Sequence, residues 1–228
     1  METIISMIRF LILAVVVRVK GLWETGCVIW RYFRVKKFAG AWSWLKLSYL
    51  LENPYRCSRR FVRTRDQYKS VVYGETPLTT LEQIMASAEV GTGDHIFELG
   101  SGAGFSSLWL NTILGCRVTA IDIIPVFCWR LMRVIRRFNL SGINVHCEDY
   151  TKTDFQGATV VYLYDPGLDD RVIAVLAEKL AGLPSGTKII SISYPLSDFS
   201  EWGSFKQVKK IGVDFDWGEA EVFIQTVV

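Results

Sequence analysis

Glu98-Leu99-Gly100-Ser101-Gly102-Ala103-Gly104 stands where a strand pattern gives way to a helical one. It closes a short apolar run, His95–Leu99, and opens a helical pattern from Gly104 to Leu114. Glycines at a strand-to-helix junction let the backbone turn sharply and approach a ligand closely, and the helix that follows offers its free N–H groups. A dinucleotide fingerprint would read G-x-G-x-x-G. Here Phe105 takes the sixth position, the glycines alternate as G-x-G-x-G, and an acid, Glu98, stands two residues before the first of them.

The chain alternates regularly on both sides of this loop. Thr79–Glu89 reads as a helix, with Leu81, Ile84, Met85 and Ala88 on one face, Gly91 beyond its end, and Thr79 and Glu82 spaced as a capping box. Strands are expected at His95–Leu99, Arg117–Ile121, Asn144–Cys147, Thr159–Tyr164 and Lys188–Tyr194, and helices at Gly104–Leu114, Val126–Phe138 and Asp169–Leu180. This rhythm predicts an α/β fold: a Rossmann-like, seven-stranded, mostly parallel sheet covered on both faces. Phe205–Val213 and Glu221–Val227 have no helix between them and predict an antiparallel C-terminal hairpin. Such sheets bind ligands beyond the carboxyl ends of their strands. Asp122, ending the second strand, can there accept hydrogen bonds from both hydroxyls of a ribose.

Residues 70–228 form the expected domain, and residues 1–69 a helical extension. Residues 1–70 hold fourteen Lys and Arg against four acids, a net charge of +10, which leaves −7 for the remainder. A basic head on an acidic body points to an anionic partner, either membrane or nucleic acid. Ile4–Val19 is strongly apolar but contains Arg9 and falls short of the ~20 residues that span a bilayer. It lacks the start and cleavage site of a signal peptide. Trp23, Trp30, Tyr32, Phe33, Phe38, Trp42, Trp44 and Tyr49 follow, interleaved with cations, as suits a headgroup layer. Residues 4–50 are therefore read as a membrane anchor, transmembrane or in-plane, with the remaining domain in the cytoplasm. The alternatives are a helical cap packed on the domain and a wholly cytoplasmic protein. Arg130, Arg133, Arg136 and Arg137 make a basic stripe, either a solvated helix face or a grip for phosphates or headgroups. The five cysteines form no C-x-x-C pair and read as small core residues in a reducing compartment. No metal site is expected, since neither His95 nor His146 lies at ligand spacing from a cysteine.

The E-x-G-x-G-x-G pattern of Glu98, Gly100, Gly102 and Gly104 resembles the first motif of class I, seven-β-strand S-adenosylmethionine-dependent methyltransferases. The resemblance implies S-adenosyl-L-methionine as cofactor, Glu98 near its amino-acid end, Asp149 at the adenine and Tyr150 flanking that ring. Val71-Val72-Tyr73-Gly74-Glu75-Thr76-Pro77, with Gln83 seven residues after the Thr, is similar to the non-SET histone-lysine methyltransferases of the disruptor-of-telomeric-silencing family. Ile189–Pro195 also resembles that family's fifth strand. The match covers about residues 70–228. It implies that Tyr73, Glu75, Thr76 and Gln83 cover the methionine moiety and help frame a lysine channel.

One departure follows the fourth strand. Where the family carries an Asn-containing aromatic loop, this chain has Tyr164-Asp165-Pro166-Gly167, distantly like the [N/D]-P-P-[Y/F] loop of amino-group methylases. Asp165 is assigned to the incoming nitrogen, with Tyr73, Tyr164 and Tyr194 as channel walls. The expected activity is methylation of a protein lysine. The alternatives are a lipid or small-molecule acceptor, or a cofactor-binding pseudoenzyme serving as an interaction module. A nucleic-acid acceptor stays open without being favoured, because no added nucleic-acid module is visible.

Overall fold

The computed structural model describes residues 2–64, 73–165, 167–200 and 203–228, with side chains from Val15 onward. Val71, Val72, Pro166, the 69/70 boundary and the side chains of residues 4–14 lie outside the described residues.

Three helices, α1 (Glu2–Tyr32), α2 (Lys36–Ser48) and α3 (Pro54–Arg63), precede the sheet. The alternation then runs α4 (Leu78–Ser87), β1 (His95–Leu99), α5 (Phe105–Thr112), β2 (Arg117–Asp122), α6 (Pro125–Phe138), β3 (Ile143–Cys147), β4 (Val160–Leu163), α7 (Asp170–Ala181) and β5 (Lys188–Ile192). It closes with β6 (Phe205–Phe215) and β7 (Gly218–Val227). The sheet order is β3-β2-β1-β4-β5-β7-β6. The first five strands pair in parallel, and β7 runs antiparallel between β5 and β6. The expected hairpin is thus inserted into the sheet, with its second strand inside. Strand order reverses between β1 and β4, so their carboxyl ends open a crevice at the switch point.

Both faces of the sheet are covered, which is why its central strands are buried at nearly every position rather than at alternate ones. One face packs on α4, α5, α6 and the N-terminal helices, through Leu81, Trp109, Leu131 and Leu45. The other packs on α7, through Ile173, Leu176 and Leu180.

The N-terminal aromatic residues divide by helical face. Tyr32, Phe38, Trp42 and Tyr49 are buried. Tyr32 meets Trp109 edge-on at 5.8 Å, and Tyr49 meets Phe127 at 6.2 Å. Trp23, Trp30 and Trp44 remain outside. The headgroup reading therefore does not extend to the buried four, which belong to the core. Among the described residues no helix is long and apolar enough to cross a membrane, which corrects the transmembrane reading. Arg18, Lys20, Glu24 and Arg31 recur along α1 and interrupt its apolar character.

The capping box at α4 is also corrected. The N-cap is Pro77, and Thr79 does not bond Glu82. Glu24 of α1 accepts instead from the Thr79 backbone N–H (3.1 Å) and from its hydroxyl (2.6 Å). Glu82 accepts from Arg31 (2.6 Å) and from the Tyr32 hydroxyl (3.0 Å). With Glu82 engaged by Arg31 and Tyr32, Glu24 brings the carboxylate that the helix N-terminus favours.

Candidate active site

The loop after β1 folds as the glycines require. Gly100, Gly102 and Gly104 all have positive φ (75°, 53° and 89°), where a Cβ is strained. The Gly100 and Ser101 N–H groups both donate to Ile121 O at 2.9 Å, drawing the turn over the end of β2. A Cβ on Gly102 would come within 2.9 Å of the Tyr73 ring. Absence of a side chain there lets the Tyr73–Thr76 segment lie directly on the loop.

Two chambers meet at Tyr73, Gly74, Gly100, Gly102 and Tyr164. The larger, about 430 Å³, is lined also by Asp122, Asp149, Tyr150 and Asp165. That volume suits a small-molecule ligand. The smaller, about 20 Å³, is lined also by Glu75, Thr76, Glu98 and Gly104. It has room for about one water, so a ligand filling both chambers requires the Tyr73–Thr76 segment to move outward. The segment is held by side-chain contacts. Tyr73 donates to Glu75 at 2.5 Å, and Thr76 shares a hydrogen bond with the Tyr162 hydroxyl at 2.8 Å. The Tyr73 ring lies 5.0 Å from Tyr55 and 5.1 Å from Phe127.

The carboxylates occupy distinct settings. Asp122 is buried and accepts from the Gly102 N–H (2.7 Å) and the Ile124 N–H (2.7 Å). Each oxygen keeps a second lone pair for a ligand hydroxyl. Burial pushes its pKa up to about 6, against the two amides that favour the charge. Glu98 is buried and accepts from the Ser107 hydroxyl. Burial raises it to about 7, so an apposed ligand ammonium would restore its charge. Burial likewise raises Glu75 and Asp165. One Asp165 oxygen accepts from the Tyr150 hydroxyl at 3.3 Å and the Gly167 backbone favours the charged carboxylate, while Oδ1 is buried with no well-formed hydrogen bond among the described residues. Asp149 accepts from the Thr151 N–H (3.0 Å) and hydroxyl (2.7 Å), which fixes the turn after β3 at the chamber wall.

Gln83 is exposed on α4 and lines neither chamber. The face that buries Leu81, Ile84 and Met85 turns it outward. Tyr194 stands behind the wall, donating to the Asp165 carbonyl at 3.1 Å. Sequence reasoning missed Ser58, Phe127, Leu168 and Val172, which line the larger chamber. It also missed Trp217, whose indole N–H donates to the Tyr164 hydroxyl at 3.0 Å. The signal for Phe127 was its inward position on the helix that follows Asp122. Ser58 and Trp217 arrive from distant segments and leave no local pattern. Among the described residues no group of His, Cys, Asp or Glu side chains is disposed to hold a metal ion.

No family model matches the sequence, and no curated protein does. Solved structures match in fold. TrmN from Thermus thermophilus is similar with a TM-score of 0.59 at 17% identity, over 70% of this chain and 52% of that one. An RNA methyltransferase from Salinibacter ruber in complex with S-adenosyl-L-homocysteine is similar with a TM-score of 0.52 at 22% identity, over 68% of this chain and 94% of that one. MtNAS in complex with MTA and tNA gives a TM-score of 0.53 at 18% identity, over 66% of this chain. The match spans only 60% of MtNAS. The fold is the one that class I S-adenosylmethionine-dependent methyltransferases use.

Proposed function

We propose that this chain is an S-adenosylmethionine-dependent methyltransferase acting on a nitrogen, the side-chain amine of a protein lysine. The observation that carries the reading is Asp165. It presents a buried carboxylate oxygen, without a well-formed hydrogen bond among the described residues, in the same chamber as Asp122 and Asp149, at the carboxyl end of β4. A buried acceptor of this kind is costly unless a donor arrives, and an incoming N–H is such a donor.

The residues fit the cofactor as a set. Asp122 and Asp149 would hold the ribose and adenine in the larger chamber. Glu98, Gly100, Gly102 and Gly104 would hold the amino-acid end in the smaller, once Tyr73–Thr76 swings outward. When bound, this cofactor supplies a methyl group activated by a sulfonium. Asp165 then orients the amine by accepting its N–H, while Tyr73 and Tyr164 confine it. A partly desolvated channel favours the neutral amine, which is the nucleophile. Alignment, rather than proton transfer, supplies most of the rate. The similarity of the Y-G-E-T segment to non-SET lysine methyltransferases supports the lysine acceptor, as does the tyrosine-walled chamber.

A second reading, transfer to a lipid or small molecule, is favoured by the exposed apolar positions Val15, Val19, Leu22, Trp23 and Trp30 along α1. The Salinibacter ruber neighbour is an RNA methyltransferase, so nucleic acid is tested alongside. Labelled S-adenosylmethionine is incubated with the full chain and a lysate of the native host, then separated into protein, lipid and nucleic-acid fractions. Label on lysine of a protein band supports the reading. Label confined to either other fraction overturns the lysine acceptor.

A further inference from the structure

Helix α3 carries Arg56, Arg59, Arg60 and Arg63 at i, i+3, i+4 and i+7, and no acid. That spacing places all four on one face. They are exposed, and with Glu52 and Thr64 they line an open concavity of about 540 Å³. Glu52, the one acid among these lining residues, is held by Arg60 at 3.4 Å and by Arg130 at 3.5 Å. Arg130 also donates to the Glu52 carbonyl at 3.1 Å.

Arg130 joins this concavity to a second, of about 240 Å³, lined by Trp44, Trp129 and Arg133. The Arg133 guanidinium lies 4.7 Å from the Trp129 ring, which is half exposed. Immediately before Glu52, the turn after α2 presents Leu50 and Leu51, 71% and 96% exposed. The opposite side of α3 is buried: Cys57 is in the core, and Ser58 lines the larger chamber of the active site.

We propose that this face docks on an anionic phospholipid membrane. The arginines of α3, with Arg133, hold lipid phosphates. Leu50, Leu51, Trp44 and Trp129 enter the boundary between headgroups and acyl chains. A nucleic acid would satisfy the cations and could stack on the indoles, but it offers nothing to two leucines at the tip of a turn. A bilayer surface takes both classes of side chain together. Docking in this way sets the chamber behind Ser58 beside the headgroup layer. That consequence rests on the methyltransferase reading; the docking itself does not.

The test uses the full chain, sedimented with vesicles of phosphatidylcholine alone or of equal parts phosphatidylcholine and phosphatidylglycerol. Two variants are compared with the parent: Arg56→Gln, Arg59→Gln, Arg60→Gln and Arg63→Gln together, and Leu50→Ser with Leu51→Ser. All six positions are exposed, and circular dichroism checks that each variant folds. The expected result is binding to the anionic vesicles that falls roughly tenfold or more in each variant. Unchanged partitioning of both variants overturns the proposal. So does a pattern in which the arginine variant loses affinity for single-stranded RNA but neither variant loses affinity for vesicles.

Discussion

The glycine loop after β1 lines both chambers and the N-terminal helices pack around them, with Ser58 of α3 in the wall of the larger, yet loop and helices are held by different forces. The loop is set by its own backbone: three left-handed glycines, two N–H groups on one carbonyl, and Asp122 accepting from Gly102 at 2.7 Å. The helices are set by side chains reaching far along the chain, with Glu24 on Thr79, Arg31 on Glu82 and Tyr49 on Phe127. A loop defined by backbone tolerates almost no added atom. A cover defined by several side-chain contacts loses them one at a time.

The sharpest break in that comparison is Gly102→Arg. The new side chain meets Tyr73 and strains a left-handed backbone, and S-adenosylmethionine affinity should fall by about 3 kcal/mol or more, above about 100-fold. Equilibrium dialysis with circular dichroism as the folding control measures this. Next, Asp165→Ala should lower kcat on the order of 100-fold and leave cofactor affinity within a few-fold, because the residue orients the acceptor and not the cofactor. Equal losses in both would remove the assignment.

Glu98 and Asp122 sharpen the comparison through pH. Their folded pKa values, about 7 and about 6, lie above those of an unfolded chain. Their neutral forms therefore favour folding, and this contribution is lost as pH rises through about 6 to 7. The cofactor-free chain should melt higher at pH 6 than at pH 8, and Glu98→Gln should flatten that dependence. Cofactor affinity should run the opposite way, weakening as Glu98 is protonated, by up to roughly tenfold across this interval. Thermal melts and titrations at both pH values test the two signs together. Smallest is Glu24→Ala, which removes the distant cap on α4 and should cost about 1 kcal/mol in denaturant unfolding, with cofactor affinity retained.

The loop was legible because its chemistry is local. Gly100, Gly102 and Gly104 specify a turn by themselves, and Asp122 and Asp149 are reached by counting strands. The hairpin was legible as two apolar runs without a helix, though the place of its second strand between β5 and β6 depends on pairing that no local pattern encodes. Gln83 lies outside both chambers because the face of α4 that buries Leu81 and Ile84 turns it outward, which motif spacing alone does not register. Thr79 and Glu82 read as a capping pair because their better partners, Glu24, Arg31 and Tyr32, lie some fifty residues away. The arginines of α3 entered the sequence reading only as part of the basic head, because the face they share and its place behind the active-site wall depend on where the helix starts and packs.

The most direct measurement is isothermal titration calorimetry of the full chain with S-adenosylmethionine, run beside Gly102→Arg and beside a nicotinamide dinucleotide. The expected result is saturable one-to-one binding of S-adenosylmethionine by the parent, none by the variant and none of the dinucleotide. Absence of binding by a folded parent chain, or equal binding by the folded variant, would contradict it.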